Sequence, residues 1–150
     1  MPKIISCGIV PIRKNNEDIE ILLCKPTNSG LYGMGFLKGQ IEENESLLDA
    51  AKREFCEESG GLEVSIINET LYFIQNNPKK KIYIWPATVQ QSKVNDIKIN
   101  SFGEVPEHDH ENELIKFYPI NNLPIMFKNQ QQILDELLSF IKNELDLRII

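Results

Sequence analysis

The sequence predicts a layered domain of mixed α and β structure, α+β or α/β, on two observations. Several short segments are rich in β-branched and aromatic residues, and two longer ones repeat apolar residues at helical spacing. Their order is strands, helix, strands, helix, which suits a sheet with helices laid on it.

Lys3 to Arg13 and Ile19 to Lys25 read as paired strands joined by the polar turn Lys14-Asn15-Asn16-Glu17-Asp18. Pro26 to Gly35, rich in Gly, Asn and Ser, reads as a loop. Ser46 to Ser59 reads as a helix with Leu47, Leu48, Ala51 and Phe55 as its apolar stripe. Asn44 or Ser46 can cap its start, and Gly60-Gly61 can end it, because Gly tolerates the left-handed exit conformation. Gly39 permits a tight loop ahead of it. Leu62 to Gln75 has the β-formers Val64, Ile66, Leu71 and Phe73, and Asn76-Asn77-Pro78-Lys79 is a turn signal. Lys81 to Gln90 alternates Ile82, Ile84 and Pro86 against Tyr83, Trp85 and Ala87. Pro86 favours an edge strand or a bulge, since proline cannot donate to a ladder. Ser92 to His110 is the least regular segment. Leu114 to Ile120 is a further short strand. Phe127 to Leu145 is a second helix, with Ile133, Leu134, Leu137, Leu138, Ile141 and Leu145 on one stripe.

A chain of 150 residues suits one domain and can bury a substantial core. With 41% hydrophobic and 25% charged residues it has the composition of a soluble globular protein. A net charge of −6 argues against a broad basic surface for duplex nucleic acid. An acidic protein still binds polyphosphate when divalent cations bridge the two. Ile4 to Val10 is too short to span a membrane and is followed directly by Pro11, Arg13 and Lys14, so no membrane association and a cytoplasmic location are expected. Cys7, Cys24 and Cys56 are widely spaced without a CxxC and suit buried thiols in a reducing compartment. For Cys56, next to the acidic cluster, a reactive or soft-metal role is the alternative. The apolar tail Leu145, Leu147, Ile149 and Ile150 either covers a subunit contact or packs on its own domain, so monomer and homodimer both stand.

Residues 39 to 61, GQIEENESLLDAAKREFCEESGG, carry the chemistry. Glu54, Glu57 and Glu58 stand at i, i+3 and i+4, one face of a helix. Carboxylates so placed repel unless a cation sits among them, and hard oxygen donors suit Mg2+ or Mn2+. The alternative is an ordinary solvated acidic face. The whole stretch resembles the Nudix box, the signature of a family of diphosphate hydrolases. Gly39, Glu45, Arg53, Glu54, Phe55, Glu57, Glu58 and Gly60 fill its positions. The final apolar position departs from the pattern: it holds Gly61, with Leu62 one residue later.

The resemblance implies a mixed β-sheet sandwiched between helices, an α/β/α arrangement, and a single domain over residues 1–150. It also implies that Arg53 pairs with Glu45 and orients the metal-binding glutamates, with Gly39, Glu45 and Gly60 as structural positions. The run Met34-Gly35-Phe36-Leu37-Lys38-Gly39 is similar to the approach seen in dinucleoside polyphosphate hydrolases and nucleoside triphosphate pyrophosphohydrolases, with Met34 where Trp is common and Leu37 where Pro is common. Lys38 fits as a phosphate-neutralising cation beside Gly39. A further glutamate before the last strand serves many family members as metal ligand or base. Glu111 is placed like it, with Glu113 and Glu107 as fallbacks. The run His108-Asp109-His110 looks like a zinc site only superficially, because two histidines do not complete a tetrahedral set. Phe36 lies beside the box, and one of Tyr32, Tyr83 or Phe127 is expected to clamp a nucleobase.

The implied reaction is Mg2+-dependent (or Mn2+-dependent) hydrolysis of a phosphoanhydride in a small nucleotide, with Glu58 or Glu111 taking a proton from water. A dinucleoside polyphosphate or nucleoside triphosphate is the first expectation. ADP-ribose, to which Pro78 is a weak pointer, and RNA 5′ ends, for which Lys79-Lys80-Lys81 is the candidate steering run, are the alternatives. Outside catalysis, a nucleotide-binding regulator on the same scaffold is the rival, and the intact set of box glutamates favours an enzyme.

Overall fold

The computed structural model describes residues 3–26, 33–89 and 112–150, apart from the Glu113 side chain. The irregular segment from Ser92 to His110 lies outside them. Seven strands form one mixed sheet: β1 (Ile4–Asn15), β2 (Asp18–Pro26), β3 (Leu37–Gln40), β4 (Ser65–Ile66), β5 (Phe73–Asn76), β6 (Lys80–Thr88) and β7 (Asn112–Pro119). Among the described residues there are also two α-helices, α1 (Leu47–Ser59) and α2 (Gln131–Asn143), and short 3-10 turns at Lys128–Gln130 and Leu147–Ile149.

The long strand β1 organises the sheet. One edge runs parallel to β6 from Ile4↔Lys80 to Ile12↔Thr88. The other edge is divided, with Ser6 to Ile9 antiparallel to β3 and Ile12 to Asn15 antiparallel to β2. β7 then pairs antiparallel with β2. Because side chains alternate across a strand, the longer strands β1, β2, β6 and β7 serve two cores. Val10, Ile12, Ile21, Leu23, Ile82 and Ile84 pack with Ile133, Leu137 and Ile141 of α2. Cys7, Ile9, Leu22, Leu37, Trp85 and Ala87 pack with Ala50, Ala51 and Phe55 of α1. A mixed sheet covered by a helix on each face is the expected α+β sandwich.

The structure refines several boundaries. β1 and β2 run further into their connection, which tightens to Asn16-Glu17, with Asn16 at φ 58°, a conformation asparagine tolerates. The expected strand Leu62 to Gln75 is two short strands, β4 and β5, because the chain turns after Ile66. The Asn68 side chain accepts from Thr70 N–H at 3.0 Å there. Pro86 lies in an interior strand rather than an edge. Its carbonyl accepts from Ile67 N–H at 3.2 Å, so its hydrogen-free nitrogen faces the same side, in the seam between the β4 and β5 pairings, and the β1 ladder loses no donor. The expected helix from Phe127 begins as a 3-10 turn and becomes α-helical only at Gln131. In the tail, Leu145 is buried while Leu147 and Ile149 are about half exposed.

Phe55 is 2% exposed at the centre of the α1 interface. Truncation as Phe55→Ala should lower unfolding free energy by about 3–5 kcal/mol in a urea titration. A loss below about 1 kcal/mol would contradict this packing.

Candidate active site

The helix start fixes the geometry that follows. Ser46, not Asn44, is the cap: its Oγ accepts from Asp49 N–H at 3.1 Å. Asn44 instead takes the left-handed φ of 63° in the turn before it. At the other end Gly60 (φ 72°) and Gly61 (φ 89°) reverse the chain, and the N–H of Gly61 returns to the Cys56 carbonyl at 3.0 Å. The extra glycine in the box allows Leu62, one residue late, to reach the α1-side core, where it is 4% exposed.

Arg53 ties the segment ahead of the helix to the helix itself. Its Nε donates to Glu45 Oε2 at 2.8 Å and its Nη2 to Glu45 Oε1 at 3.0 Å, a two-pronged contact. Nη1 donates to Glu54 Oε1 at 2.8 Å, and Nη2 also reaches the Gln40 carbonyl at 3.1 Å. Glu42 and Glu57 lie 3.6 Å from Nη1. Glu45 closes the loop by accepting from Glu42 N–H at 3.0 Å. These hydrogen bonds hold the Glu45 carboxyl below its usual range, Arg53 contributing most and the Glu42 amide next. Glu45 raises the Arg53 guanidinium in turn.

Gly39 has a reason other than the expected tight loop. It lies inside β3, paired with Cys7. A Cβ built on it would fall within the Glu54 carboxylate, so the bare Cα is what lets that carboxylate lie against the strand. The three helix glutamates differ in exposure: the side chain of Glu54 is 13% and that of Glu57 61% accessible, while Glu58 is buried. Glu58 Oε1 accepts from Asn112 Nδ2 of β7 at 2.8 Å, a bond between buried partners that fixes its direction.

Glu58 and Asn112 line a cavity of about 780 Å3 that also meets Lys38, Phe36, Phe127 and Gln130. Phe36 and Phe127 thus share a space with a box glutamate and the candidate phosphate cation. Tyr83 does not. It lies on the α1 face of the sheet, its ring 5.8 Å from Tyr72 and 6.4 Å from Trp85. Tyr32 and Glu111 lie outside the described residues, as do Glu107 and the His108-Asp109-His110 run. Pro78 sits in the β5–β6 hairpin, where Asn77 N–H meets the Lys80 carbonyl at 2.8 Å.

Cys24 lines the cavity, yet its chemistry is that of a packed thiol. Burial pushes it up to about 12, the Glu58 carboxylate pushes the same way, and Lys38 opposes both. It stays protonated at neutral pH, with its Sγ 3.7 Å from the Phe36 carbonyl. Cys7 is also buried, but Cys56 is exposed, contrary to expectation, because it follows Phe55 on the outward side of α1. Lys80, passed over in the lysine run, is half buried on β6. Burial first, and then the charge of Lys38, lowers its ammonium to about 8. Asn112 and Gln130 were not anticipated either. The one signal for Gln130 is a polar residue where the apolar stripe of α2 is about to begin.

A family model for the NUDIX domain matches residues 2–138. No curated protein matches the sequence significantly. Among solved structures, a C. elegans Ap4A hydrolase in a binary complex is 18% identical with a TM-score of 0.66, covering 93% of this chain and 98% of that one. A NUDIX hydrolase from Nitrosomonas europaea is 20% identical with a TM-score of 0.62, covering 96% and 73%. The NUDIX domain of Shewanella oneidensis NrtR, solved with ADP ribose, is 14% identical with a TM-score of 0.60, covering 94% and 90%. At these identities the likeness is one of fold.

The depressed Glu45 carboxyl has a pH consequence. A group lowered in the folded state stabilises the fold fully above its unfolded value of 4.5, and that contribution is lost as pH falls through the lowered folded value. Glu45→Gln should therefore melt below the wild type at neutral pH, with the gap closing as pH is taken below 4.5. A gap that is constant across that range would contradict the Arg53 pairing.

Proposed function

The chain belongs to the NUDIX family, and from that premise we propose that it hydrolyses a phosphoanhydride bond in a nucleotide with the help of a divalent cation. The observation that carries this reading is Arg53 clamping the Gly39–Glu45 segment to α1, whose acidic face ends in Glu58 on the wall of a cavity large enough for a nucleotide.

The donor chemistry fits Mg2+ or Mn2+. The side chains are hard carboxylate oxygens on one helical face, and the bare Cα of Gly39 leaves Glu54 room against β3. Among the described residues no acidic, histidine or cysteine group forms a ready cage, so Glu54 and Glu57 would turn toward the ion, with Glu111 as an additional candidate ligand. When bound, the cation neutralises diphosphate oxygens and polarises phosphorus. The protein's own residues do the rest. Arg53 holds Glu54 and the preceding segment in register. Asn112 holds Glu58, which in this reading takes a proton from the attacking water, with Glu111 as the other candidate base. Lys38 offsets charge on a neighbouring phosphate at the cavity wall, and Phe36 and Phe127 give the nucleoside end apolar surfaces. Positioning and fixed charge supply most of the rate gain.

A dinucleoside polyphosphate or nucleoside triphosphate is the first substrate class to assay, from the approach Gly35-Phe36-Leu37-Lys38-Gly39. The C. elegans protein of the same fold is an Ap4A hydrolase, which orders the panel the same way.

Glu57 is the most exposed of the three glutamates, so its replacement tests function with little cost to folding. Glu57→Gln should keep its melting temperature and lose at least about a hundred-fold in Mg2+-dependent turnover, read by phosphate release over a nucleotide panel with products identified by mass. Undiminished turnover would refute the assignment.

A further inference from the structure

One wall of the cavity is the strap of residues 125–130, which has no regular structure beyond a single 3-10 turn. Its position is set by ties on two sides. On one side lies the segment that leads into β3. Met34 N–H donates to the Ile125 carbonyl at 2.8 Å, and Phe127 N–H donates to the Met34 carbonyl at 3.0 Å. Phe36 N–H donates to Gln130 Oε1 at 2.7 Å. On the other side stand two side chains of the β5–β6 hairpin, Gln75 and Asn77.

Gln75 is buried and every arm of its carboxamide is used. Its Oε1 accepts from Gln132 N–H at 2.9 Å and from Ile133 N–H at 3.4 Å. Neither the 3-10 turn nor α2 has a side-chain cap at its own start, so α2 is capped from 57 residues away in sequence. The nitrogen does something different. Gln75 Nε2 donates to the Lys128 carbonyl at 3.1 Å and to Asn77 Oδ1 at 3.3 Å. Asn77 Nδ2 in turn donates to the Asn129 carbonyl at 3.1 Å. The oxygen therefore serves the fold of α2, and the two amide nitrogens serve the strap. Neither side chain lines the cavity, so any effect on a ligand passes through the strap.

We infer that Gln75 and Asn77 are positioning residues for the bound nucleotide: by holding the Lys128 and Asn129 carbonyls they fix where Phe127 stands on the cavity wall. This rests on the nucleotide reading of the cavity and deepens it by assigning ligand affinity to a hairpin outside it. Glu54, Glu57 and Glu58 belong to α1, which these ties do not touch. Loosening the strap therefore weakens binding and spares the bond-breaking step.

The test compares Asn77→Ala and Gln75→Glu with Phe140→Leu, a core truncation in α2 away from the strap, at pH 8. The Asn77→Ala variant removes one tie without changing charge. In Gln75→Glu the ionised carboxylate still accepts from the α2 amides, where a negative charge is favourable, but cannot donate to the Lys128 carbonyl. AMP is titrated calorimetrically without metal, and KM and kcat are measured for ATP and Ap4A with Mg2+. In both hairpin variants the AMP Kd and the KM should rise at least about five-fold with kcat within about two-fold. Phe140→Leu should lower the melting temperature and leave all three constants within about two-fold. An unchanged Kd in either hairpin variant, a fall in kcat at unchanged KM, equal weakening in Phe140→Leu, or failure of AMP to bind the wild type at millimolar concentration overturns the inference. AMP binding that weakens as expected, with neither ATP nor Ap4A hydrolysed, sinks the hydrolase reading alone. Turnover with a KM indifferent to residues 75 and 77 sinks this one alone.

Discussion

Four carboxylates crowd one guanidinium, and the site is arranged around that imbalance. Arg53 bonds Glu45 and Glu54 directly and stands near Glu42 and Glu57. A planar fork with several fixed donors can serve two carboxylates and a backbone carbonyl at once, which a lysine cannot. The single positive charge leaves the ridge strongly negative. That residue of negative potential is the ground for the proposed divalent cation, and the same pairing keeps the strand-to-helix segment from springing away from α1.

The sheet delivers the other half of the site. β1 divides its free edge between β2 and β3, and the cavity is lined from both of those strands' ends, from Glu58 near the close of α1, and from the segment leading into α2. Each contribution has a local cause. Gly39 has no Cβ because Glu54 lies on it; Gly35 has none because Gln130 does. Asn112 stands where β7 begins, within reach of Glu58. The two cores on either face of the sheet are what hold these parts in register, since a close-packed interior resists displacement. Cys24 belongs to this framework as a neutral thiol and not to the chemistry.

Much of this was legible in the chain, and the reason is periodicity and spacing. The stripes of α1 and α2 and the strand segments announce a layered domain, and the family resemblance carried by Gly39 to Gly60 implied the Arg53–Glu45 contact. What was not legible depends on contacts distant in sequence. Which of Tyr83 and Phe127 reaches the cavity turns on how elements distant in sequence pack, which no local pattern records. The tolerance of Pro86 in an interior strand depends on the seam between β4 and β5. Gln130 meets Phe36 across 94 positions of sequence, and no local pattern distinguishes it from its glutamine neighbours.

The most direct measurement is a crystal structure with magnesium and a slowly hydrolysed nucleotide analogue. The account requires electron density for a cation bridging the diphosphate and the oxygens of Glu54, Glu57 and Glu58, with Arg53 still gripping Glu45 and the base in the cavity between Phe36 and Phe127. A cation bound elsewhere, with those three carboxylates turned to bulk water, would contradict it.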